Sequence, residues 1–166
     1  MPIRLTALAA LLAIVTPSSA HDFKVGSTEI GHPWSRPTPP NARVAGGYVT
    51  LTNNGLEADS LIGVESPDAE SAEIHHSVVE NGVASMRPVE TIEIAPGASV
   101  DFEAERLHFM FIEPDRPLRD GDRFPATLVF EKAGSIDVEF MVQMRASGNG
   151  TRGRSLCADL ASGRGL

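Results

Sequence analysis

From His21 to about Gln143 no apolar stretch sustains a 3.6-residue period; short alternating runs are cut instead by turn-forming clusters. A chain of this pattern can bury its apolar side chains only by pairing strands. The runs are 23–30, 44–52, 60–65, 72–79, 83–94, 99–103, 107–112, 126–131 and 136–142. Between them stand Asn53-Asn54-Gly55, Ser66-Pro67-Asp68, Asn81-Gly82, Ala95-Pro96-Gly97, Asp120-Gly121-Asp122 and Ala133-Gly134-Ser135. Many short strands with such punctuation predict an all-β, antiparallel sandwich or barrel with little helix. The segment 33–40, rich in proline, reads as an extended loop.

The two ends read differently. Arg4 precedes an apolar run, Leu5 to Val15, that is too short to span a bilayer, and Ser18-Ser19-Ala20 offers small residues for cleavage. Residues 1–20 are therefore expected to be a signal peptide, with His21 opening an exported, periplasmic chain. No cysteine stands at the cleavage point, so no lipid anchor is expected. Residues 146–166, rich in Gly, Arg and Ser, are expected to form a mobile tail. The interval 21–145 is left as one domain.

The net charge of −8 becomes −9 once Arg4 leaves with the leader, which argues against nucleic acid or anionic lipid as partners. The single cysteine, Cys157, has no partner within the chain, so disulfides do not hold this fold.

Chemistry concentrates in two places. His75 and Met86 are separated by ten residues, Met86 and His108 by twenty-one, and His108 and Met110 by one. Asn81-Gly82 between alternating runs signals a two-residue hairpin of type I′. If Glu80 pairs with Val83, Ser77 falls opposite Met86 and His75 opposite Pro88. His75 and Met86 then share a face as diagonal neighbours, roughly 7–8 Å apart at Cα, and His76 points away. A slip of one residue would undo this. In the strand after Leu107, His108 and Met110 share one face, at the surface or under a loop. Leu107, Phe109 and Phe111 share the other and are the natural core side. A single Met beside Phe is most often core filler, and a single His often does nothing. Two His–Met pairs, each on a shared face, favour a soft-metal site instead. Two imidazoles with two thioethers suit Cu(I). Thioethers also resist oxidation better than a thiolate would outside the cytosol.

The stretch AEIHHSVVENGVASMRPVETIEIAPGASV, with LHFMFIEPDRPLRDGDRFPATLVFEKAGSIDVEF, resembles the periplasmic copper chaperones of the PCu(A)C family. Its motif, His-x10-Met-x21-His-x-Met, matches His75, Met86, His108 and Met110. HPWSRPTPPNARVAGGYVTLTNNG resembles the family's N-terminal strand region, so the likeness runs from about Ile30 to Val142. Many members carry a Met just after the first His; His76 and Ser77 stand there instead. The resemblance implies a cupredoxin-like Greek-key β-barrel or sandwich that binds Cu(I). It implies passage of the ion towards a copper-accepting protein, either cytochrome c oxidase subunit II or a thiol-bearing assembly factor. A monomer is expected.

Two other functions compete: a metal-free sandwich for interaction or assembly, and an electron-transfer cupredoxin. The latter needs a Cys close to the His and Met ligands, and Cys157 follows the last strand without such neighbours. No catalytic constellation stands out, so no enzyme is expected. The remaining residues rank lower. His21 could chelate copper as a free N-terminus, His32 could support a site, and Met141 with Met144 could recruit copper in passing. For each, packing or accident is the plainer expectation.

Overall fold

A computed structural model describes residues 23–145 as eleven strands without a helix. They are β1 (Phe23–Val25), β2 (Thr28–Ser35), β3 (Val44–Asn53), β4 (Asp59–Glu65), β5 (Ala69–Glu80) and β6 (Val83–Pro88). These are followed by β7 (Ile92–Ile94), β8 (Ser99–Asp101), β9 (Leu107–Pro114), β10 (Arg123–Phe130) and β11 (Gly134–Val142). The expected signal peptide and tail, with His21 and Cys157, fall outside the described residues. No described helix is long and apolar enough to cross a membrane.

The strand order is β6-β5-β9-β3-β2-β11-β10-β4-β7, with β1 added to β2 and β8 to β3. All pairs are antiparallel except β11 with β2, so the sheet is mixed rather than purely antiparallel. Curling brings β4 alongside β5, and the sheet wraps its own core as a β-sandwich. β3 shows the alternation that makes this possible: Ala45, Gly47, Val49, Leu51 and Asn53 are buried, and the residues between them face outward.

Six of the seven phenylalanines are buried. Phe109 and Phe111 of β9 meet Phe140 edge-on at 5.9 and 5.4 Å, and Phe111 meets Phe124 at 5.0 Å. Burial of each such ring is worth about 1.5–3 kcal/mol, and each oriented pair adds about 0.5–1.5 kcal/mol. This cluster clamps β9, and therefore whatever β9 carries on its opposite face.

Three boundaries differ from the sequence reading. The run 23–30 is two strands, because Gly26 at φ 56° turns the chain between them. The run 83–94 is also two strands: β6 stays on β5, while β7 crosses to β4. The loop expected at 33–40 begins later, since Pro33, Trp34 and Ser35 continue β2 past a bulge where His32 adopts φ 49°. A proline is tolerated at such a bulge because no ladder hydrogen bond is asked of it.

Candidate metal centre

The hairpin register is the one the turn chemistry predicts. Asn81 and Gly82 both have positive φ, 51° and 79°, as a type I′ turn demands. Glu80 pairs with Val83, Ser77 with Met86 and His75 with Pro88. Across the other edge of β5, His75 lies directly opposite His108, and Glu73 opposite Met110. One outer face of three strands thus carries Met86 from β6, His75 from β5, and His108 with Met110 from β9. The alternate residues Ile74, Leu107, Phe109 and Phe111 point into the core. His76 pairs with Leu107 and points away from the other four.

The two imidazoles are cross-strand neighbours with ring centroids 5.9 Å apart, a gap that two metal–nitrogen bonds of about 2.0–2.1 Å can span. Among the described residues, only three buried side-chain polar atoms lack a hydrogen-bond partner, and two of them are here: His75 Nδ1 and His108 Nε2. Buried polar atoms are almost always paired, so two orphans on facing rings point to a guest that accepts both lone pairs. The other edge of each ring is engaged. His75 Nε2 lies 2.7 Å from Glu73 Oε2, and the Arg106 backbone hydrogen-bonds His108.

His108 is only 7% exposed. Its face was expected at the surface or under a loop, and the ring proves buried. Burial, and then the neighbouring His75, hold its pKa below the ordinary imidazole value, and His76 adds to this. The Arg106 backbone contact pushes the other way. The outcome is an imidazole kept neutral near neutral pH, the form a metal needs.

The thioethers differ from each other. Met110 is half-buried beside Glu73, whereas Met86 is 61% exposed on a strand whose six residues all face solvent. The register sets Met86 two residues to one side of the His75–His108 pair and Met110 two residues to the other. In a flat sheet those corners would be roughly 16 Å apart at Cα, so one ion can meet both thioethers only if strand twist and an inward curl of the hairpin carry Met86 towards the rings. Among the described residues no three His, Cys, Asp or Glu side chains converge to hold a metal ion. The further donors on the same outer face are the thioethers of Met86 and Met110, which are soft ligands.

Other candidates lie elsewhere. His32, on β2, is exposed and its Nε2 contacts Gln143 at 2.8 Å. Met141, on β11, pairs with Trp34 and Arg123. Met144 is 80% exposed, and its backbone N–H donates to Asp120. Glu73 was missed by the sequence reading. Its signal was a carboxylate two residues before His75, on the same face of the strand.

The fold is that of PCuAC domains, the cupredoxin-like sandwich that the resemblance implied. The chain belongs to the LpqE-like family, described as "Putative lipoprotein LpqE-like", whose model matches residues 28–142. The copper-bound PCuAC domain from PmoF2 is 27% identical, covers 75% of this chain and 99% of its own, and superposes with a TM-score of 0.64. The Cu(I) form of DR1885 from Deinococcus radiodurans is 25% identical over 76% of this chain and 83% of its own, with a TM-score of 0.54. An uncharacterized protein from Rickettsia prowazekii, RP573, is 31% identical over 103 residues, which is 60% of this chain. That match spans 57% of the Rickettsia protein's length.

Proposed function

We propose that this protein is a periplasmic copper chaperone that binds one Cu(I) through His75, Met86, His108 and Met110. The observation that carries the reading is the pair of buried, partnerless nitrogens, His75 Nδ1 and His108 Nε2, on facing rings. It is supported by the copper bound in the PmoF2 domain and the Cu(I) bound in DR1885. The copper is cargo. Neutral imidazoles and uncharged thioethers bind a monovalent ion without a strong charge trap, and the exposed Met86 offers a ligand that an acceptor can displace first. The acceptor we infer, from the family resemblance, is the copper centre of cytochrome c oxidase subunit II or a thiol-bearing assembly factor. The protein performs no catalytic turnover in this scheme, and its leader delivers it to the periplasm.

Competitive Cu(I) titration tests the ligand set. Met86→Leu and Met110→Leu keep size and apolarity while removing sulfur. These variants and the alanine variants of His75 and His108 should bind Cu(I) much more weakly than the parent. His76→Ala and Met141→Leu should bind as the parent does. Motif variants with parental affinity, or controls that lose as much, would refute the assignment.

A further inference from the structure

The four proposed ligands leave unexplained why a carboxylate sits against one of them. Glu73 and His75 are two residues apart on β5 and share its outer face. Glu73 Oε2 lies 2.7 Å from His75 Nε2, and Glu73 is directly opposite Met110. An ionised carboxylate only accepts hydrogen bonds, so the imidazole nitrogen facing it must carry the proton. The other nitrogen of the same ring, Nδ1, is buried and unpartnered.

We propose that Glu73 is a positioning residue: it holds His75 with the proton on Nε2 and turns the Nδ1 lone pair towards the ion. On His108 the free atom is Nε2. The two histidines therefore bind through different nitrogens, Nδ1 of His75 and Nε2 of His108. A carboxylate behind a ligating imidazole fixes ring orientation and raises ligand basicity, and loss of such a partner costs about 10–100-fold in metal affinity. Glu73 itself is half-exposed, so it tunes the ligand rather than carrying the fold. This inference deepens the copper reading, but its first test does not depend on copper.

The test begins with imidazole nitrogen NMR on metal-free protein at about pH 8, where histidine is neutral. The parent should show His75 as the Nε2–H form. Glu73→Ala should lose that preference, and Glu73→Gln, whose amide oxygen still accepts, should keep it. Cu(I) titration should then show Glu73→Ala about 10–100-fold weaker, with Glu73→Gln closer to the parent. On adding Cu(I), the large shifts should fall on Nδ1 of His75 and Nε2 of His108. A parent with the proton on Nδ1, a tautomer unchanged in Glu73→Ala, or parental copper affinity in Glu73→Ala would overturn the proposal. A parent that binds no Cu(I) would instead defeat the chaperone reading, and the tautomer comparison would still decide the role of Glu73.

Discussion

Adjacent glycines in β3 should respond to the same substitution with opposite sign. Gly47 faces the core opposite Phe109. A Cβ there would lie 2.7 Å from Phe111 Cε2, 3.0 Å from Phe140 Cε1 and 3.4 Å from Phe109 Cβ. Those rings are at most 1% exposed, and Phe111 and Phe140 are wedged against Phe124, so they cannot swing aside. Overpacking of this kind costs about 1–3 kcal/mol, while Gly→Ala recovers about 0.4–1 kcal/mol by restricting the unfolded chain. Gly47→Ala should therefore be destabilised by about 1–2 kcal/mol net. Gly46 faces outward, and a Cβ there would meet nothing nearer than Tyr48 Oη at 3.8 Å. Gly46→Ala should gain about 0.4–1 kcal/mol. Urea unfolding measures both, and thermal melts should move by roughly 2–8 °C per kcal/mol for domains of this order of size. Gly47→Ala with parental or higher stability would refute the claim that the phenylalanine cluster is closed. Equal losses at both positions would refute the assignment of faces.

Three further outcomes are expected. Gly82→Ala forces a Cβ into φ 79° with nothing to pack on, so it should cost about 1–2 kcal/mol; by loosening the hairpin it should also weaken Cu(I) binding, both read by urea melts and competition titration. Asn53 is fully buried, donating to the carbonyls of Glu57 and Ile94 and accepting from the Gly55 N–H. Asn53→Ala orphans these groups and should cost at least about 2 kcal/mol in the same melts. The metal-free protein should lose stability as pH falls below about 6.5, because His108 has a pKa below its unfolded value and the unfolded chain takes up the proton first. The contribution is complete above about 6.5 and is lost as pH drops through the folded value; His108→Gln should flatten that slope in melts between pH 7.5 and 5, and an unchanged slope would assign it to another group.

The hairpin and the shared face of His108 with Met110 were legible because both are local. Asn81-Gly82 admits one turn type, that turn sets the pairing of Glu80 with Val83, and strand alternation does the rest. The core side of β9 was legible for the same reason. The sequence by itself therefore determined the class of fold, two His–Met pairs and their faces. It could not show that β5 lies beside β9, because pairing of strands distant in sequence is chosen by competition among all strands for the core. The same competition made β7 leave β6 for β4, and let β11 run parallel to β2. Only the tertiary structure set His75 against His108, buried one ring while leaving Met86 in solvent, and turned Glu73 from one acidic residue among many into the partner of a single imidazole nitrogen. Residue types and spacings are written in the chain, whereas burial and opposition belong to the packed sheet.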